Sequence, residues 1–263
     1  MTATYTDLIV ERDEDVLVVT LNRPERLNAM RNHLRAELIE ALKEAEANGG
    51  VRAVVVTGAG DKAFSAGADI AELQERTLYT ELSRPAELRR ELPRIAEGLA
   101  KPVVAAINGF CLGAGLELAL ACTLRIAAAR ARLGLPEINL GVIPGSGGTQ
   151  RLARLVGLGW ALHMVLTGEP LTAEQGLRIG LVTEITADQE LLPRAKSLAR
   201  LMGGKAPVAL AAARDAVLRS LDMDLASGLD FERKLFAICA ATEDKAEGVR
   251  AFLEKRKPQF RGR

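Results

Sequence analysis

Two carboxylates twenty positions apart, Glu117 and Glu137, sit where acids are unusual. Glu117 follows Asn108-Gly109-Phe110-Cys111-Leu112-Gly113-Ala114-Gly115-Leu116 and precedes the wholly apolar residues 118–122. A strand ends, a glycine-rich turn follows, and an apolar helix starts near Gly113. The first amides of such a helix have no internal acceptor and are ready donors to a negative oxygen. An oxyanion hole needs such fixed N–H groups, aimed where charge develops. Glu137 lies in Gly134-Leu135-Pro136-Glu137-Ile138, flanked by apolar side chains that would raise its pKa by desolvation and suit it to donate a proton. Glu117, near a helix N-terminus, is expected to stay ionised more easily and suits the base role. The competing readings are structural: a Glu favoured by the positive helix end, and a solvated loop residue.

Two further loops are rich in small residues. Ala63-Phe64-Ser65-Ala66-Gly67-Ala68-Asp69-Ile70 lets the backbone approach a ligand and leaves its amides unshielded; its plainer reading is a tight turn with Asp69 in a helix first turn. Gly145-Ser146-Gly147-Gly148 resembles a phosphate cradle but lacks the Lys-Ser/Thr pair, so it reads as a helix cap with close packing. Other chemistries fail on motif. Ser65 and Ser146 lack a nucleophile elbow, no dinucleotide fingerprint follows a strand, and no cluster has metal-ligand spacing. His33 and His163 fall on expected helices, where core or surface roles prevail.

The elements that must position these residues alternate through about the first 150 positions. Residues 16–22 (VLVVTLN), 53–57 (AVVVT) and 103–107 (VVAAI) are short apolar runs closed by Gly, Pro or Asn. Strands apolar on both faces belong to parallel sheets covered by helices, so an α/β fold is expected. Residues 29–47 carry Leu34, Leu38, Leu42 and Ala45 at helical spacing, with Asn48-Gly49-Gly50 as the stop. After Thr149 the pattern turns helical: 151–166, 173–179, 190–202, 207–221, 225–241 and 246–257. Gly203-Gly204 marks the expected break between a core over residues 1–202 and a terminal helical segment over 203–263. Residues 73–93 are expected to shape the ligand pocket.

At 263 residues the chain can bury a sizeable core. Lys plus Arg number 35 and Asp plus Glu 34, a balance that gives no global attraction to nucleic acid or an acidic membrane. Six Phe, two Tyr and one Trp are too few for base-stacking platforms. Three cysteines without a C-x-x-C pair argue against a disulfide framework and for a reducing compartment. The polar N-terminal stretch 1–12 has no secretory pattern and no run spans a bilayer, so no membrane partner is expected and the default location is the cytoplasm, a processed mitochondrial protein being the alternative.

Taken together, the loops resemble the enoyl-CoA hydratase/isomerase (crotonase) family. The matching pieces are Leu21-Asn22-Arg23-Pro24 with Leu27-Asn28-Ala29, residues 58–70, residues 101–117, residues 134–152, Leu166-Thr167-Gly168 and residues 252–257, nearly the whole chain in order. The resemblance implies a spiral of ββα units, then C-terminal helices that mediate a homotrimer, with trimers pairing into hexamers. It implies a hydro-lyase acting on a 2-enoyl-CoA, with the amides of Ala68 and Ala114 holding the thioester oxygen. Glu117 would activate water for attack at C3 and Glu137 would exchange the proton at C2. Coenzyme A would be carried by the substrate, with no separate cofactor. CoA contacts map to Ala66, Asp69 and Ile70, and to Phe236 and Lys255, often from a neighbouring subunit. Two departures stand out: Ala114 replaces a common Gly and narrows the pocket by a methyl, and Ala71 replaces a common Lys, removing one CoA phosphate contact. The alternatives on this scaffold are an isomerase, a hydratase of a cyclic or branched acyl-CoA, and a non-catalytic RNA-binding or scaffolding member. The paired carboxylates and the absence of a basic run disfavour the last.

Overall fold

The computed structural model describes residues 5–82 and 84–263; the first four residues of the polar N-terminal stretch, and Ser83 within the 73–93 stretch, lie outside the described residues. In chain order the elements are β1 (Leu8–Asp13), β2 (Val16–Leu21), α1 (Asn32–Ala47), β3 (Ala53–Gly58), β4 (Ala63–Ser65), α2 (Ile70–Gln74), α3 (Leu78–Glu81), α4 (Arg84–Gly98), β5 (Val103–Ile107), β6 (Phe110–Leu112), α5 (Ala114–Ala121), β7 (Leu124–Ala128) and β8 (Arg132–Gly134). A 3-10 turn over Pro136–Leu140 leads to α6 (Gly148–Thr167), β9 (Leu171–Thr172), α7 (Ala173–Arg178), β10 (Glu184–Thr186) and α8 (Leu191–Gly203). The chain ends with α9 (Pro207–Arg219), α10 (Leu225–Ala240) and α11 (Glu243–Leu253).

Two sheets result. The larger has the order β1-β2-β3-β5-β7-β10 and is parallel except for the β1–β2 hairpin. The smaller has the order β4-β6-β8-β9. Each repeat places one strand in the large sheet, turns, places a short strand in the small sheet, and then runs into helix: β3-β4-α2, β5-β6-α5 and β7-β8 toward α6. This is a spiral of ββα units. The apolar residues of β3 and β5 are wholly buried because helices or the second sheet cover both faces. The crossing between sheets is tight. A Cβ on Gly109 would lie 2.1 Å from the Lys62 carbonyl oxygen, so only glycine fits there.

The chain divides into two compact units, residues 1–199 and 200–263. The core of the first is aliphatic, built from Leu17, Val19, Leu34, Leu38, Val54, Val56, Leu92, Ile107 and Leu116 among others. Cys111 and Cys122 are buried free thiols; burial pushes Cys122 up to about 12, so neither is reactive. Among the described residues no helix is long and apolar enough to cross a membrane.

Candidate active site

The first wall starts from the Leu27-Asn28 turn. Both residues adopt positive φ (49° and 55°), which Asn tolerates and buries here because its amide is fully used. Asn28 Nδ2 donates to the carbonyls of Ala59 (3.0 Å) and Ala63 (2.7 Å), and its Oδ1 accepts the Arg23 N–H at 3.0 Å. The turn delivers Met30 as a one-residue parallel bridge to Ala68: Met30 N–H donates to Gly67 O at 2.8 Å and Asp69 N–H to Met30 O at 3.2 Å. Backbone groups alternate along an extended edge, so the Ala68 N–H points the other way, toward a cavity that Ala68 lines. Facing it, Gly113 takes φ +50° and gives its own N–H to Gly134 O at 2.9 Å, and α5 then begins at Ala114. Gly115 lets this helix end close onto β4, since a Cβ there would lie 2.7 Å from Ser65 O. No acceptor for the Ala68 or Ala114 N–H occurs among the described residues.

Both carboxylates line the same cavity, of about 690 Å³, as do Ala66, Ala68, Ile70 and Ala114. Glu117 is 2% exposed. Its Oε1 accepts two amides, Ser146 N–H at 2.6 Å and Gly148 N–H at 2.9 Å. The Glu137 Oε2 is buried without a hydrogen-bond partner, and Oε1 lies 3.0 Å from where a Gly113 Cβ would be. Burial raises both pKa values. For Glu137 burial, with a smaller push from the Glu117 charge, takes the carboxyl to about 7. For Glu117 burial also raises it, opposed by the Gly148 and Ser146 amides and the Arg35 charge.

Glu117 lies in the first turn of its own helix, and its carboxylate also accepts the amides at the start of α6, from the glycine loop read as a helix cap; burial raises its pKa and these amides oppose the rise. Gly147 does occupy the N-cap position of α6 with φ +102°, but no side chain caps it; the free amides go to Glu117. Asp69 is placed differently from Ala66 and Ile70. It caps α2 through Ala71 N–H (3.2 Å) and pairs with Arg23 Nη1 at 3.0 Å, its pKa lowered by these bonds against burial. Phe236 is 74% exposed on α10, and Lys255 follows α11 with φ 53°; both belong to the second unit.

Sequence reasoning missed a group of cavity-lining guanidinium groups, Arg35, Arg76, Arg89 and Arg90. They lie at polar positions of helices and loops, where charge normally signals a solvated face, and no local pattern marked them. Among the described residues no group of His, Cys, Asp or Glu could hold a metal ion.

Comparison with known proteins agrees over nearly the full length. The family model "Enoyl-CoA hydratase/isomerase" matches residues 11–263. The 2,3-dehydroadipyl-CoA hydratase of Escherichia coli is 45% identical over 98% of this chain and 99% of its own. The short-chain-enoyl-CoA hydratase of Clostridium acetobutylicum is 43% identical over 95% of this chain and 96% of its own. The crystal structure of an enoyl-CoA hydratase from Bacillus anthracis superposes with a TM-score of 0.93 at 37% identity, covering 98% of this chain and 100% of that one. With the ββα spiral and a family model covering almost every residue, the chain belongs to the enoyl-CoA hydratase/isomerase family.

Proposed function

We propose that this chain is an enoyl-CoA hydratase, a hydro-lyase that adds water across the 2,3 double bond of a 2-enoyl-CoA. The observation that carries the reading is the convergence on one cavity of two carboxyl groups and two unpaired backbone amides. The Ala68 and Ala114 N–H groups receive the thioester oxygen. Glu117, its Oε1 fixed by two amides, orients a water and takes one proton as the oxygen attacks C3. The double-bond electrons move toward the thioester, and negative charge gathers on the oxygen held by the two amides. Glu137, with a pKa of about 7, is partly protonated at neutral pH and delivers the proton to C2. The product is a 3-hydroxyacyl-CoA, and the carboxyls exchange protons with solvent to reset.

In this reading CoA enters with the substrate and no resident cofactor is needed. It passes Ala66, Asp69 and Ile70, and Phe236 and Lys255 of a neighbouring subunit complete its contacts. Self-association as a homotrimer or dimer of trimers belongs to the same reading, supported by exposed Leu225, Phe236, Phe252 and Leu253 in the second unit. Sedimentation equilibrium is expected to give three or six chain masses. A cytoplasmic location fits the free buried thiols. The central test is spectroscopic: crotonyl-CoA should lose its conjugated absorbance on addition of enzyme. Failure to turn over any 2-enoyl-CoA, with conversion of a 3-enoyl-CoA instead, would replace hydration by isomerisation.

A further inference from the structure

The proposed chemistry uses one side of the cavity; the other is built from α1 and the segment from α2 to α4, and it is cationic. Arg35, Arg76, Arg89 and Arg90 all line it. Glu81 is the one acid among the described lining residues of that side. It takes Arg89 Nη2 at 2.6 Å and leaves Arg76 Nε at 3.9 Å, beyond hydrogen-bonding range. Behind it, Glu72 gives one oxygen to Asn32 N–H at 2.8 Å and keeps the other 3.8 Å from Arg35. Arg35 is 2% exposed and donates to Met30 O. Arg76 Nε and Nη2 are buried with no hydrogen-bond acceptor among the described residues. Among the described residues the four guanidinium groups thus face Glu72 and Glu81, with the Glu117 charge also within reach of Arg35 and Arg76. Burial and mutual repulsion lower the pKa values of both Arg35 and Arg76.

An apolar acyl tail would gain nothing from this wall. A buried guanidinium edge with two unmatched donors is complementary to a carboxylate, which accepts two N–H groups in parallel. We propose that the acyl end of the cavity is a carboxylate subsite centred on Arg76, and that the preferred substrates are 2-enoyl-CoA thioesters whose acyl chain ends in a carboxylate. The inference rests on the hydratase reading for its reaction. It goes further in assigning Arg76 to specificity, with Glu81, 3.9 Å from its Nε, as a nearby counter-charge. The other anions of such a substrate, the CoA phosphates, do not fit the place. Arg35 and Arg76 are within electrostatic reach of Glu117, the group assigned to the reacting carbons, whereas the phosphates hang at the far end of the pantetheine arm. Leu73, Leu78, Val142 and Ile143, also in the lining, leave an apolar path for the methylene chain between.

The test compares 2-enoyl-CoA thioesters of five to eight carbons in three forms: ending in a carboxylate, in its methyl ester, and in a methyl group. At the best length, kcat/KM is expected to be about 10- to 100-fold higher for the carboxylate than for its ester, the worth of a charge-assisted bond. Arg76→Gln and Arg76→Met should each erase that preference, mainly through KM. Repeating the comparison with 3′-dephospho-CoA thioesters should give the same Arg76 effect; its disappearance would move the contact to the CoA phosphate and overturn the proposal. So would equal rates for acid and ester at every length, or a preference that survives both variants. If the methyl-terminated substrates turn over normally in these cases, the subsite fails while hydration stands. If no 2-enoyl-CoA turns over, the hydratase reading has failed first.

Discussion

The Glu117 carboxylate rests on the first residue of another helix: its Oε1 accepts the Gly148 N–H at 2.9 Å, and the Gly148 α-carbon leaves no space beside it. A Cβ there would lie 3.1 Å from Glu117 Cγ and Oε1 and 2.9 Å from Pro144 Cβ. Gly148→Ala should therefore displace the carboxylate by a few tenths of an ångström rather than unfold the chain. Catalytic alignment is sensitive at this scale. The variant is expected to lose about 10- to 100-fold in kcat for crotonyl-CoA with little change in the affinity of a saturated acyl-CoA. Unchanged turnover would show that the amides opening α6 do not position the base.

Glu117→Gln and Glu137→Gln preserve size while removing proton transfer. Each is expected to lower kcat by about 10²- to 10⁴-fold, the usual worth of a positioned acid or base. The two differ in what survives. Glu137→Gln should abolish solvent-proton exchange at C2 of a saturated acyl-CoA. Glu117→Gln should spare more of that exchange, because the acid that serves C2 is intact. Proton NMR in heavy water reads the difference, and equal loss of exchange in both variants would contradict the division of roles.

Much of this arrangement was legible in the chain and some was not, for physical reasons. β3 and β5 announce themselves because strands buried on both faces must be apolar throughout. The loops carrying Ala68, Ala114, Glu117 and Glu137 stand out by glycine and by acids among apolar neighbours. β4, β6 and β8 have three residues each, too few for any periodicity to show. β1, Leu-Ile-Val-Glu-Arg-Asp, has no apolar-polar alternation and reads as a polar terminus, since only its pairing with β2 makes it a strand. α1 starts at Asn32 rather than at position 29 because Met30 is extended against Ala68, a tertiary contact that outweighs helix propensity. α11 begins at Glu243, three residues earlier than periodicity suggests, where Thr242 caps it by accepting Lys245 N–H. Arg35 is the clearest case of illegibility: a charged residue on helix α1 that is buried, with its guanidinium on Met30 O and beside Glu72 and Arg76 from a distant part of the chain.

The pH profile should follow the two carboxyls. Hydration needs Glu117 ionised and Glu137 protonated in the free enzyme, so kcat/KM should fall on the acid side as Glu117 takes up a proton. It should fall on the alkaline side through about pH 7 as Glu137 loses one. The interaction of the two makes the observed values those of the pair. Stability carries the same sign. Glu137 binds its proton more tightly folded than unfolded, so its contribution is fully present below the ordinary carboxyl range and is lost as pH rises to about 7. Glu137→Gln should then be more stable than the parent at pH 8 by about 1–2 kcal/mol, allowing for partial solvent access, and no more stable at pH 4. Thermal melts at the two pH values check this. A stability difference independent of pH would mean that Glu137 keeps an ordinary pKa in the folded chain.

The Ala68 amide depends on a clamp one layer further in. Asn108 Nδ2 donates to the carbonyls of Gly58 and Gly60, each at 2.9 Å, and Oδ1 accepts the Gly58 N–H at 3.2 Å. These bonds tie the end of β5 to the turn between β3 and β4, and β4 leads directly into the loop that presents Ala68. Gly58 has no room to move, because a Cβ on it would lie 2.2 Å from Ala63 O. Asn108→Ala leaves a buried N–H and carbonyl without partners, which costs about 2–4 kcal/mol. Urea unfolding should show that loss as a lower midpoint with the slope unchanged. Because the slackened turn sits upstream of one oxyanion donor only, the folded variant should keep its affinity for free CoA and lose kcat. A loss of stability under about 0.5 kcal/mol, or a fall in CoA affinity with kcat preserved, would place the support of Ala68 elsewhere.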